Sequence, residues 1–222
     1  LAIIDQGMIL NRDPPQFVFD FNSGVGLVSG AGGNITVANL ADFPYLLGKG
    51  MSLTVGKMAP CGLSTPHYHP RATEFLYMLT GSELKVGFLL ENGVRLVTNV
   101  LKPGQGAIFP KGSFHYQVNT DCEPVTFVAG LNSEDPGVSS VAQRFFGIQP
   151  AVVDATLGDV GLDEVVRIAQ SVSTALSIKL KLKLLTHVPI QIPDTFALGV
   201  QSCLDKCKIQ RGGDQPKKQQ QP

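Results

Sequence analysis

The chain has four histidines, and three of them fall in two short segments punctuated by glycine and proline. His67 and His69 are separated by one residue. Successive side chains on a β-strand point to opposite faces, so residues two apart share a face and these imidazoles point the same way. After Pro70-Arg71-Ala72-Thr73, Glu74 opens an apolar run through Leu79 that can return its carboxylate to their side. His115 follows a Pro110-Lys111-Gly112 turn and brings a third imidazole from another strand. Three imidazoles and one carboxylate converging in a cavity make a site for a divalent first-row ion. A lone histidine is more often a satisfied core or surface residue, and one His-x-His is a weak signal by itself. Glu74 as a solvated strand end is the competing reading, and its apolar flank weighs against it.

Both spacings resemble the two motifs of the cupin superfamily. The first motif runs Gly, five residues, His-x-His, three or four residues, Glu, six residues, Gly. His67, His69, Glu74 and Gly81 match it, while Cys61 stands where the opening glycine belongs and Gly62 follows. Gly104, Pro110, Gly112, His115 and Asn119 match the second motif position by position. The run from His67 to Glu74 is similar to germins and germin-like proteins. Phe127-Val-Ala-Gly-Leu-Asn-Ser-Glu-Asp-Pro-Gly137 is similar to the spherulin-type branch. The resemblance covers residues 15 to 208.

It implies a mainly β fold, the cupin β-barrel or jelly roll, with His67, His69, Glu74 and His115 as metal ligands. Glu74 and His115 are also expected to be catalytic. The donor set does not select Mn(II), which lies at the weak end of the affinity order. Germins hold Mn(II) at this motif, and that is the ground for expecting it here. Four protein ligands leave two positions open on an octahedral ion, and redox chemistry on an oxygen species needs such positions.

Germins include oxalate oxidases and superoxide dismutases, so the implied substrate is superoxide or a small anion. Germins lead into the first motif with Asn-Pro-Pro-His, and that Asn helps hold oxalate. This chain has Ser64-Thr65-Pro66-His67, and a serine hydroxyl reaches less far than an amide. Superoxide dismutation is therefore placed ahead of oxalate oxidation to carbon dioxide and hydrogen peroxide. Ser64 and Asn119 are the candidate pocket residues. Spherulin-type proteins are linked to stress and encystment, so a non-catalytic, metal-stabilised storage, cell-wall or stress protein stands as the alternative.

The positioning elements follow from punctuation. With 24 glycines and 15 prolines among 222 residues, the chain is turn-rich and suits β architecture. Strands are expected at Phe17–Phe21, 35–37, 51–58, 75–79, 83–90, 94–101, 107–110, 114–118 and 125–129, with residues 24–33 a loop. Asn92-Gly93 between two apolar runs signals a hairpin, because both residues tolerate positive φ. Phe43-Pro44-Tyr45 is expected to pack the barrel. Residues 1–16 read as an extended arm, giving an arm plus barrel over 1–150, a helical oligomerisation extension over 151–208 and a disordered tail over 209–222.

Leu162, Val165, Val166, Ile168, Ala169 and Val172 have helical spacing. A last helix is expected from 195 to 208, residues 178–185 fit either strand or helix, and His187 reads as structural. In germins such helices clasp adjacent barrels, which implies a homo-oligomer, a trimer or hexamer.

Four cysteines, at positions 61, 122, 203 and 207, permit three pairings. Barrel closure should bring the segments of Cys61 and Cys122 together, so Cys61–Cys122 and Cys203–Cys207 are the expected bridges, against four reduced thiols. Asn34-Ile35-Thr36 is a glycosylation sequon expected on a loop of a secreted, extracellular protein, cell-wall associated if it serves the wall. Equal numbers of basic and acidic residues, 18 each, give no electrostatic footprint for nucleic acid or membrane lipid. No apolar run approaches the roughly 18 residues that span a bilayer. The sequence starts at Leu1 without a basic n-region, so a secretion signal is expected to have been removed or not included.

Overall fold

Side-chain alternation sorts the strands into an inner and an outer face. In β5 (Glu74–Thr80), Glu74, Leu76 and Met78 are buried while Phe75, Tyr77 and Leu79 face outward. In β3 (Ser52–Met58) every second residue from Ser52 is buried. Period-two burial of this kind requires one face packed on a core. The computed structural model describes residues 17–172 and 196–211, and there the strands form two antiparallel sheets.

The first sheet has the order β1 (Leu27–Gly30), β2 (Gly33–Ala38), β3, β10 (Val125–Leu131), β5 and β8 (Gly106–Phe109). The second runs β11 (Ser139–Ser140), β4 (Gly62–Tyr68), β9 (Phe114–Val118), β6 (Leu84–Leu89) and β7 (Val97–Leu101). A further short strand, β12 (Phe196–Leu198), pairs with β4. Met58, Leu76, Met78, Leu84, Phe109 and Phe127 fill the space between the sheets. This is the expected mainly β cupin jelly roll.

Three local expectations were overturned. Residues 17–21 form no strand, because no described strand pairs with them and their rings pack locally: Phe19 lies edge-on to Phe21 at 4.9 Å and against Phe43 at 5.5 Å. The Asp20 carboxylate then turns the chain by accepting from the Asn22 N–H. Part of the expected loop at 24–33 is strand β1, which pairs with β2 from Leu27↔Thr36 to Gly30↔Gly33. That hairpin puts Asn34 on a strand paired on both sides, half-buried, and not on a loop. The hairpin expected at Asn92-Gly93 is present as β6–β7, although only Gly93 takes positive φ (87°) and the pairing stops at Phe88↔Val97, so its loop is longer than two residues.

The C-terminal elements are α1 (Val141–Phe145), α2 (Pro150–Thr156), α3 (Leu162–Val172) and α4 (Gln201–Cys207). Helix α3 matches the apolar spacing, and Asp163 and Glu164 in its first turn complement the helix dipole. The last expected helix is shorter, since Phe196–Leu198 extend the sheet and Phe196 is buried in the barrel core. The arm at 1–16, the segment 178–185, His187 and the tail from 212 lie outside the described residues.

The disulfides differ from the expected pairing: they are Cys61–Cys203 and Cys122–Cys207. The expected proximity of the two barrel segments is real, because the Cys61 N–H donates to the Asp121 carbonyl (3.1 Å). Helix α4 lies across this end, however, and residues four apart share one helical face. Cys203 and Cys207 thus both face the barrel, and each takes one of its cysteines.

Candidate metal centre

Strands β4 and β9 run side by side, with His67 directly opposite His115. The register slips between Ser64 and His67, where Pro66 has no N–H to give the ladder. His69 lies just past the end of β4. Glu74 is the first residue of β5 in the other sheet, flanked by Phe109 and Leu131. The four side chains therefore span both sheets. They are all buried, and one donor atom from each lies within 4.8 Å of every other.

Their hydrogen bonds fix which nitrogen is free. His67 Nδ1–H donates to the Thr65 carbonyl (2.7 Å), His69 Nδ1–H to Gly137 (2.6 Å) and His115 Nδ1–H to Ser113 (2.9 Å). A carbonyl can only accept, so each ring carries a proton on Nδ1, and Nε2 is the nitrogen through which the neutral ring would ligate. This is how metal-binding imidazoles are held by their surroundings. Glu74 Oε2 lies 2.9 Å from His69 Nε2 and 3.4 Å from His115 Nε2. The second contact is not a hydrogen bond, and His115 Nε2 is left buried without a partner. An orphaned buried nitrogen aimed at a carboxylate and two further imidazoles fits a metal ion.

Titration behaviour agrees. Burial, then the neighbouring His115 and His69, push His67 down from 6.5 to about 3, so it stays neutral and able to ligate. Burial opposes charge on Glu74, but the close approach of His115 and His69 outweighs it and holds the carboxyl well below its usual range. Burial likewise opposes charge on His69, and its bond to Glu74 overrides this and raises it.

A cavity of about 550 Å³ opens onto His67, His69 and Glu74. Ser64 lines it, as expected for a pocket residue, and so does Gln117, which pairs with Ser64 across β4 and β9. Gln117 was missed in the sequence, although it stands two residues beyond His115 and so shares its face. Asn119 is not among the residues that line this cavity. Its amide donates to the Ala59 (2.9 Å) and Glu123 (2.7 Å) carbonyls and its oxygen accepts from the Asp121 N–H (3.0 Å), tying down the cysteine end. Cys61 has φ of 53°, a left-handed conformation that glycine adopts at least cost. That explains the motif's preference for glycine here; this chain instead holds the position with a disulfide.

The family model described as Cupin matches residues 22–159. The chain belongs to the cupin family. Among curated cupins, it is 34% identical over 193 residues to Spherulin-1A of Physarum polycephalum, covering 86% of this chain and 70% of that one. It is 41% identical over 127 residues to Germin-like protein 8-12 of Oryza sativa subsp. japonica, covering 57% and 56%. Among solved structures, a recombinant oxalate oxidase in complex with glycolate superposes with a TM-score of 0.66 at 28% identity, covering 74% of this chain and 84% of that one. This cupin is thus germin-like, with a His₃Glu metal-binding group.

Proposed function

We propose that this cupin is a secreted, manganese-binding germin-like metalloprotein that carries out redox chemistry on a small oxygen species, with superoxide dismutation as the reaction. The observation that carries it is the set of three imidazoles, each held through Nδ1 by a backbone carbonyl, converging with one carboxylate beside a cavity that reaches His67, His69 and Glu74. Manganese bound there would supply a one-electron change of oxidation state. Glu74 and His115, which would ligate the ion with His67 and His69, are taken as the catalytic side chains among the four. The Ser64 hydroxyl and Gln117 amide are available to hydrogen-bond an oxygen atom inside the cavity.

Oxalate oxidation is the second reading, and the glycolate-bound oxalate oxidase with a related fold favours it. Against it, no lysine or arginine is among the described residues lining the cavity, and Ser64 stands where germins have Asn. Two disulfides suit an oxidising compartment and support secretion. Among the described residues no helix is long and apolar enough to cross a membrane. The apolar side chains that α2 and α3 expose, Val152, Leu162 and Val166, support a clasp between barrels in a homotrimer or hexamer.

The test is to supply metal-analysed protein with a superoxide source and, separately, with oxalate. Superoxide loss that His69→Ala abolishes is the expected result. Peroxide released from oxalate would favour the second reading, and neither activity at full manganese occupancy would leave a non-catalytic cell-wall or stress protein.

A further inference from the structure

Superoxide needs only a passage and an open position on the metal. It leaves the size and the walls of the cavity without a purpose. At about 550 Å³ the chamber falls within the range that holds drug-sized molecules. Its walls are mainly apolar: Ile35 and Val37 come from β2, Phe127 and Leu131 from β10, and Phe196 from β12. Besides the metal-binding group, its polar side chains are Asn39, Asp42, Thr54, Ser64, Gln117 and Asp135. Ser64 and Gln117 are 3% and 2% exposed, sit opposite one another, and make no side-chain hydrogen bond among the described residues. Two unpartnered polar side chains this deeply buried point to a ligand that supplies the missing bonds.

The charge distribution narrows its class. Asp42 and Asp135 line the mouth, and no cationic side chain is among the described lining residues. Arg71 pairs with Asp135 from outside (2.8 Å) and so neutralises one carboxylate, leaving Asp42. A dianion would shed its hydration to enter, pass a carboxylate, and meet no counter-charge except the metal. A neutral molecule meets none of these costs, and burying its body against the apolar wall is favourable.

We infer that the chamber binds a neutral, largely apolar organic molecule of one or two rings, which turns a hydroxyl or carbonyl oxygen toward Ser64, Gln117 and the metal. This rests on the metal assignment proposed above and adds the substrate class that the same centre accepts. Phe196 contributes to the wall through β12, so the C-terminal strand shapes selectivity as well as the barrel.

The test uses 2-naphthol, neutral at pH 7 and fluorescent, against oxalate, both titrated into manganese-loaded protein whose metal content has been measured. The expected result is 2-naphthol binding tighter than oxalate by roughly tenfold or more. Val138 lines the mouth and is partly exposed, so Val138→Trp narrows the opening at a tolerant position. It is expected to weaken 2-naphthol binding by about tenfold with metal content and thermal midpoint unchanged. Asp42→Lys is expected to tighten oxalate by about threefold or more and leave 2-naphthol as it was. Oxalate binding tighter than 2-naphthol would overturn the inference, as would 2-naphthol binding that ignores Val138→Trp. A chain that takes up no metal refutes the functional proposal, whereas a loaded chain that ignores 2-naphthol refutes this inference alone.

Discussion

The two ends of the barrel are held by unlike forces, although the same two strands reach both. Strand β4 begins beside Cys61 and carries His67 next to its last residue, Tyr68; β9 begins at Phe114, followed by His115, and leads on to Asn119 and Cys122. At the histidine end, buried polar groups are fixed by single hydrogen bonds to carbonyls, and one nitrogen is left unsatisfied. At the cysteine end every polar group of Asn119 is used, and α4 is attached covalently through two bridges. An end that must accept a ligand keeps unmet donors and acceptors. An end that only has to hold leaves none. Substitutions at one end should therefore spare the property that belongs to the other.

The largest effect is expected from His69→Ala, which removes a ligand without cutting into the apolar core. Metal affinity should fall by about 100-fold or more, read by competition with a chelator. The unfolding midpoint of the metal-free protein should change little. Next comes the paired change Cys61→Ser with Cys203→Ser, which opens a bridge spanning 142 residues. Loss of stability of about 2–5 kcal/mol is expected in denaturant titration. Manganese stoichiometry should be retained, and a variant that loses both would show that the ends are coupled.

Asn119→Ala sharpens the contrast at a motif residue. The side chain is fully buried with three hydrogen bonds, so its loss should cost about 1–3 kcal/mol while metal content and superoxide loss are kept. A selective loss of activity at normal stability would return it to the pocket.

The smallest effect concerns Asp121, which links α4 to the barrel through Lys206 (3.1 Å). Hydrogen bonds from Ser82, the Cys122 N–H and Lys206 draw its pKa from 3.8 down to about 2. A carboxyl lowered on folding contributes stability above its unfolded pKa and loses it as pH falls through the folded one. Asp121→Asn should accordingly be the less stable form at pH 6, with the gap closing as the pH is lowered from 4 towards 2. A gap that widens on acidification would reverse the assignment.

The ligand set was legible because it is written in short-range spacing. His67 and His69 share a strand face, and the turn before His115 sets its depth. Most strands were legible for the same reason, through alternation of apolar residues. What lay hidden depends on partners distant in sequence. Leu27–Gly30 is unremarkable until β2 folds back on it, and Phe17–Phe21 alternates correctly but has no strand to pair with. The bridges were mispaired because α4 stands between the two barrel cysteines, and nothing near residue 203 announces where that helix will dock. Asn119 matched a motif whose spacing does not distinguish a residue that binds substrate from one that binds backbone.

The account depends most on a single ion joining β4 and β9 of one sheet to β5 of the other through His67, His69, Glu74 and His115. Elemental analysis of the purified protein beside its His115→Ala variant tests this most directly. One manganese per chain in the first and a severe loss in the second is the predicted result. Absence of any first-row metal from the first, or equal manganese in both, would contradict it.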